Sequence, residues 1–538
     1  LYETIDILGQ AETQVDYQGC MAINCGDNNI VRNVTFSNIR IEQIQKGCIC
    51  QVKVSYNQKY CTAPGRGVEN VLFRNIRYYG EQPYISILAG YDKERKVRGI
   101  TFEGLKTGGK LIHDAMPGKP AWHNTADYVP MYIGNHVENV VFSPDARTTF
   151  LRKALAYCST QVDSALAALR PYDFTMMPRN ILPSGAKDAS QTEMKGENST
   201  NHTQPLRWNL RPACAEEWCS GFWPGILWMT FASNHSEAVK KAAEGYTRAI
   251  VPITESPVYD HDLGFIAISS LMKGYETTHD GSYRLALLRA ADSLATLFNP
   301  NVGTMLSWPR HVDDYGGHNT IIDNMMNLEL LFWAAEHGGS HHLKDIAVRH
   351  AETTMQHQFR PDGSCYHVAV YDTRSGRFIH GVTHQGYSNQ SMWSRGQAWA
   401  IYGYTMVYRF TRDTRFLDFA QKTADIYLSR LHATSDDFVP KWDMDSPDGQ
   451  KDVSAACIAA SALIELSQHV GGTKGQQYLD EAEQTLRQLS TSQYQSRDRN
   501  HAFLMHSTGH HPAGTEIDAS IVYADYYYLE ALLRLAKL

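Results

Sequence analysis

Residues 311–339 read HVDDYGGHNTIIDNMMNLELLFWAAEHGG. The second half is apolar almost all round, through Ile321, Ile322, Met325, Met326, Leu328, Leu330, Leu331, Phe332 and Trp333, which predicts a helix buried on every side. A carboxylate, Asp323, sits near its start. A polar, glycine-rich turn (Tyr315, Gly316, Gly317, His318, Asn319) leads into it, as a binding loop meets a rigid scaffold. Two readings of Asp323 stand side by side. It is the acidic half of a capping box whose cap is Thr320, or it is a catalytic acid.

The same kind of helix recurs along the chain. From Asp145 the hydrophobic period changes from two to about 3.6, predicting helices that begin near residues 148, 220, 235, 261, 281, 320, 340, 394, 413, 452, 474 and 516. Every second one is amphipathic and charged, as in SEAVKKAAEGYTRAI from Ser236 and FLDFAQKTADIYLSRL from Phe416. The alternate ones are apolar on most faces and rich in small residues. They are WCSGFWPGILWM from Trp218, HDLGFIAISSLM from His261, the stretch from Asn319, WSRGQAWAIYGYTMV from Trp393, DVSAACIAASALIEL from Asp452 and EIDASIVYADYYYLEALL from Glu516. Six inner helices ringed by six outer ones make an (α/α)6 barrel, expected over 145–538. The polar stretch from Ser184 to Gln204 is predicted to be a surface loop.

Residues 1–144 follow another rule. VRNVTFSNIRI from Val31, VENVLFRNIRY from Val68, VRGITFEGLKT from Val97 and VENVVF from Val137 repeat one pattern of short alternating strands. Each brings Asn or Gly, which tolerate the left-handed turn conformation, ahead of a Val/Ile-x-Phe triplet. Stacked coils of a partial right-handed parallel β-helix are expected. The fold class is therefore mainly α, with the barrel preceded by β-helix coils. A solenoid beginning at Leu1 presents an open end, so the expectation is that the natural chain continues upstream or that another element covers it. The segment resembles the last coils of the polygalacturonase-like β-helix family. That family's catalytic aspartates and Gly-His-Gly turn have no match among residues 1 to 142, so no chemistry is assigned there.

The composition, 43% hydrophobic and 20% charged, is that of a globular protein, and the formal net charge is −7. With no Lys/Arg run, a nucleic-acid or long-polyanion partner is not expected. No uninterrupted run of ~18 apolar residues exists, so no membrane span is expected. Ten cysteines lack CxxC pairs and metal-like spacing and read as buried thiols.

Each inner helix opens with polar or aromatic residues, so one barrel end is expected to be a cavity lined by Trp218, Trp223, His261, Asp262, Asp323, Arg395, Trp399, Asp452 and Asp518. Aromatic faces stack on sugar rings, while carboxylates and an arginine fix hydroxyl and acid groups. Each signal has a plainer reading: Asp262 as a helix cap, Arg395 as a surface ion pair.

These residues resemble the unsaturated glucuronyl hydrolases. The resemblance runs from about Arg147 to Leu538 through WCSGFWPG, HDLGF, GGHNTIIDNMMNLELL, SMWSRGQAWAIYG, KDVSAACIAASAL and EIDASIVYADYYYLEALLR. It implies Asp323 as general acid and Asp262 as its partner aspartate. It also implies substrate contacts from Trp218, His261, His367 in GSCYHVAV, Gln385 in THQGYSNQ, Arg395 and Trp399. The implied reaction removes a 4-deoxy-4,5-unsaturated uronic acid from the non-reducing end of lyase-generated oligosaccharides by hydrating the C4=C5 enol ether. No cofactor and no metal are implied. The implied setting is the periplasm or exterior of a polysaccharide-degrading bacterium. Unsaturated rhamnogalacturonyl hydrolysis of pectin fragments is the neighbouring alternative, and a catalytically dead carbohydrate-binding protein is the alternative of another class. The chemistry needs two carboxyls in different environments. Asp323, flanked by Ile321, Ile322, Met325 and Met326, is expected to be desolvated and protonated. Asp262, at a helix N-terminus, is expected to stay ionised. Arg395 is expected to bind the uronate carboxylate of an exo-acting enzyme.

Overall fold

The computed structural model describes residues 1–14, 18–81, 84–183 and 208–538, which fall into two compact units, Leu1–Arg152 and Lys153–Leu538. The division runs inside the helix Ala146–Leu169, later than the boundary at 144 expected from the change of period. The polar stretch Ser184–Gln204 lies outside the described residues.

In the first unit the repeats become strands that stack in parallel. Tyr2–Ile7, Ile30–Ile41, Gly67–Tyr78, Val97–Glu103 and Val137–Ser143 pair in that order, and Phe36, Phe73, Phe102 and Phe142 are register partners. In-register stacking puts like on like, so their rings lie over one another at centroid distances of 5.2, 4.7 and 4.9 Å, with Tyr2 5.0 Å from Phe36. A second parallel sheet runs through Gly19–Cys25, Cys48–Val54, Ser86–Ala89 and Met131–Ile133. Asn33, Asn38, Asn70, Asn75 and Asn139 all take positive φ, and Gly99 and Gly104 do so in the coil that lacks them. The Asn75 amide donates to Asn38 Oδ1 at 2.9 Å, one coil below. Asparagine is tolerated there because its short side chain bonds locally in the left-handed region.

The second unit is an (α/α)6 barrel. Its inner helices are Phe222–Asn234, residues 263–278, Asn324–Glu336, Ser394–Thr411, Val453–Val470 and Val522–Ala536, each packed on the next and the last on the first. Charged helices such as Glu237–Ile250, His342–His357 and Thr414–Thr434 alternate with them and bury one face. Among the described residues Val453–Val470 is long and apolar enough to cross a membrane by length and composition, although Ser454, Ser461, Glu465, Ser467, Gln468 and His469 interrupt its apolar residues. Its small residues serve burial as an inner helix, and Asp452 caps it by accepting from Ser454 N at 3.0 Å.

The opening stretch departs from its reading. His318–Ile321 is a strand, paired antiparallel with Val368–Tyr371, and the helix starts only at Asn324. Thr320 therefore caps nothing, and its Oγ1 is held by Thr304 Oγ1 and Met305 O. β-branched residues and an antiparallel partner outweigh the helical pattern there. The strand matters for function because Ile321 lies opposite Val368 and the Ile322 N–H donates to His367 O at 2.9 Å, which sets His367 across from Asp323. The helix expected from Glu516 likewise begins only at Val522.

Phe73 is fully buried in the middle of the ring stack. Phe73→Ala removes two stacking contacts and leaves a cavity, so it is expected to destabilise the first unit by about 3–5 kcal/mol. Urea denaturation checks this, and a loss below about 1 kcal/mol would show that the ladder is not the unit's core.

Candidate active site

Asp323 precedes the Asn324–Glu336 helix in αR conformation with no side-chain capping bond, so the capping-box reading fails. Its side chain is 14% exposed, and Oδ2 has no hydrogen-bond partner. Burial pushes the carboxyl up to about 7, against the pull of the Arg395 charge. His367 Nε2 lies 3.6 Å from Oδ2. His367 Nδ1 accepts the backbone N–H groups of His384 and Gln385 at 3.2 and 3.1 Å, so the ring proton sits on Nε2, aimed at Asp323. Burial holds this histidine well below its ordinary range, and it is a neutral donor.

Asp262 repeats the arrangement. It too makes no side-chain cap, and His261 Nε2 lies 3.5 Å from its Oδ1. The Asn327 amide donates to His261 Nδ1 at 2.8 Å, again leaving the proton on Nε2. Gly264 permits this: a Cβ there would come within 2.5 Å of the Asn327 side chain. Burial lowers His261 to about 4. Asp262 itself is not the ionised carboxylate expected from its place at a helix start. Burial first, then the neighbouring carboxylates of Asp260 and Asp323, raise it well above its usual range. With no helix N–H bonded to it, the dipole has no hydrogen bond through which to hold the charge. Asp262, with its side chain 22% exposed, and Asp323 thus form a pair of largely desolvated carboxyls, the second of which adds to the rise of the first.

Trp218 and Trp399 close the site from the barrel interior. Trp218 packs on Tyr523 at 4.6 Å and Phe265 at 5.7 Å, and Trp399 lies 5.3 Å from Phe265. The buried Trp399 Nε1, His261 Nε2, His367 Nε2 and Asp323 Oδ2 are all unpartnered, an unusual concentration of unspent polar atoms.

Arg395 departs from its expected use. It is 2% exposed, NH1 donates to Asp452 Oδ2 and Thr508 O at 2.8 and 2.7 Å, and NH2 donates to Gln385 Oε1 and Gly509 O at 3.2 and 2.6 Å. Trp393 and Tyr523 flank its guanidinium. A cation so committed orients Gln385 and the 508–509 loop and acts on Asp323 through its charge. Trp223 stacks edge-on against Tyr246, toward the outer layer, and Asp518 pairs with His506 with its side chain 46% exposed. Neither joins the carboxyl pair.

Trp308 escaped the sequence reading. Half-buried, it lies 5.0 Å from His384, 5.9 Å from Tyr315, 6.0 Å from His367 and 6.4 Å from His261, and Asn319 pins its backbone through bonds of 2.8 and 3.1 Å. The available signal was WPRH at 308–311, aromatic and basic residues just before a glycine turn.

The profile of Glycosyl Hydrolase Family 88 matches residues 186–535. The chain belongs to Glycosyl Hydrolase Family 88. It is therefore a glycosidase, and the carboxyl pair and its aromatic surround all lie inside the matched segment. An unsaturated glucuronyl hydrolase of Formosa agariphila is 42% identical over 326 residues, 60% of this chain and 80% of that protein. That of Bacillus sp. strain GL1 is 33% identical over 333 residues, 60% and 86% of the two chains. Among solved structures, an unsaturated glucuronyl hydrolase specific for heparin superposes with a TM-score of 0.64 at 36% identity, covering 72% of this chain and 97% of that one. The segment matched by the family profile, 186–535, lies within the second unit.

Removing Arg395 from this family 88 barrel strands a buried Asp452 carboxylate. Arg395→Ala is expected to destabilise the second unit by about 3–5 kcal/mol. Denaturation midpoints check it. A variant as stable as the parent with only KM raised would return Arg395 to direct substrate binding.

Proposed function

We propose that this family 88 enzyme releases a 4-deoxy-4,5-unsaturated uronic acid from the non-reducing end of short oligosaccharides by hydrating its C4=C5 double bond. One observation carries the reading. Asp323 is a carboxyl whose burial raises it to about 7, with an unpartnered oxygen and the His367 Nε2–H aimed at it. A double bond conjugated to a carboxylate is inert to ordinary nucleophiles but accepts a proton at C4.

In this mechanism Asp323 gives its proton to C4, and the electron pair of the C4=C5 bond forms the new C4–H bond. Positive charge develops at C5, shared with the ring oxygen. Asp262, in its ionised form, orients a water molecule and takes its proton as the oxygen bonds to C5. The hemiketal at C5 then opens, and the former anomeric carbon releases the next sugar. The pair begins with one proton, on Asp323, which ends on C4, and finishes with one taken from water by Asp262, so one carboxyl is neutral while the other is charged before and after the step. The N–H donors of His261 and His367, the Gln385 amide and the faces of Trp218, Trp308 and Trp399 suit a sugar ring bearing one carboxylate. Support for exo action is the mixture of a single acid pair with aromatic walls at one end of a closed helix ring.

The repeated Val/Ile-x-Phe coils, the positive-φ asparagines and the two parallel sheets support reading the first unit as coils of a right-handed β-helix. We assign it no catalytic role. A periplasmic or extracellular setting fits a substrate produced by polysaccharide lyases.

Asp323→Asn is expected to lower turnover by at least ~10²-fold with the fold retained, because an amide cannot deliver the proton. In the parent enzyme kcat/KM should fall as pH rises through about 7, where Asp323 ionises. Loss of absorbance of the enol ether measures both. Full activity of Asp323→Asn, or a rate that climbs through pH 7, would place the acid elsewhere.

A further inference from the structure

The residue two before Asp262 is a third carboxylate, and it has a partner of its own. Asp260 is 7% exposed; its Oδ1 accepts the Asp262 backbone N–H at 3.0 Å, and its Oδ2 accepts both terminal N–H groups of Arg310 at 3.2 Å each. The Arg310 guanidinium lies 3.8 Å over the Tyr259 ring, with its side chain 40% exposed. Among the described residues the groups that act on Asp262 include Asp260 and His261 from its own segment, Asp323 from the start of the next inner helix, Cys219 from the segment before Phe222, and Arg310 from the turn Pro309–His311. Arg310 is the cation in that set.

The catalytic reading requires the proton of the pair to reside on Asp323 and the charge on Asp262. An uncompensated Asp260 carboxylate beside Asp262 works against that, since like charges close together favour the protonated form of one. We propose that Arg310, by holding the Asp260 carboxylate, weakens the hold of Asp262 on the shared proton and so favours its residence on Asp323, which makes Arg310 a positioning residue for the donor. The inference rests on the hydration mechanism above for its catalytic consequence, but not for the placement of the proton.

A bidentate guanidinium that is partly in solvent can be removed without emptying a core, so the variants are expected to fold. Arg310→Ala should lower kcat by about tenfold, as one repulsive charge shifts proton affinity by on the order of one unit. Arg310→Lys should keep most of the activity. Arg310→Ala combined with Asp260→Asn should regain kcat, because the charge that needed compensation is gone. In parallel, 13C NMR of selectively labelled aspartate carboxyls, assigned by loss of signal in Asp262→Asn, should show Asp262 protonated to higher pH in Arg310→Ala and to lower pH in Asp260→Asn. A double variant no better than Arg310→Ala, or carboxyl titrations that coincide with the parent, would overturn the proposal. So would a raised KM at unchanged kcat, which would make Arg310 a substrate contact. Carboxyl titrations that move as stated while kcat stays fixed would leave the proton placement standing and contradict the roles given to Asp262 and Asp323.

Discussion

A carboxyl group drawn away from water with one oxygen left unpartnered is the constraint on which the rest of this structure depends. Left exposed, Asp323 would ionise at ordinary carboxylate pH and have no proton to give. Six apolar inner helices surround it, and the strand His318–Ile321 delivers it at their mouth with its oxygen unspent. The histidines beside it are tied through Nδ1 by backbone N–H groups or by Asn327, so they stay neutral donors and do not compete for its proton. Arg395, whose charge pulls against that rise, is held by Asp452 and two backbone carbonyls and donates no hydrogen bond to Asp323. The site thus gathers unpartnered Asp323 Oδ2, His261 Nε2, His367 Nε2 and Trp399 Nε1 around the place a substrate would fill.

Much of this architecture is legible along the chain because its signals are local. Alternation of apolar and charged helices announces a two-layer ring, and the Val/Ile-x-Phe repeats announce strands that stack in register. Both are patterns of adjacent residues. Asp323 and Asp262 were found the same way, as carboxylates at the openings of apolar helices. The misreadings arise where distant chain segments decide. His318 and Asn319 read as turn and Thr320 and Ile321 as the opening of the helix, but together they find Val368–Tyr371 as a strand partner. Arg395 opens a helix as a free cation would, and only folding brings Asp452 and Thr508 to it. Trp308 and the Asp260–Arg310 pair become visible only when the 309–311 turn is laid against the 259–262 segment. The ionisation of Asp262 was misjudged because a helix dipole is a local argument, whereas Asp323 reaches it from another helix.

The two units embody different solutions to one problem. In the first, each coil is too thin to bury its own apolar face, so identical residues stack across coils and phenylalanine rings supply a continuous core. In the second, every helix is long enough to bury a full face, and small residues at close contacts, such as Gly264 against Asn327, leave room for polar networks near the site. Only the second unit offers buried, unpartnered polar atoms around a carboxyl pair, which is why the chemistry is assigned there.

The central claim is that hydrolysis begins with proton transfer to C4 of an unsaturated uronic acid. Turnover of an unsaturated disaccharide in D2O, with the released 4-deoxy acid examined by NMR, tests it most directly. The account predicts one deuterium at C4 per turnover, on a single face of the ring, and no cleavage of the saturated disaccharide. Product without deuterium at C4, or cleavage of the saturated analogue at a comparable rate, would contradict it.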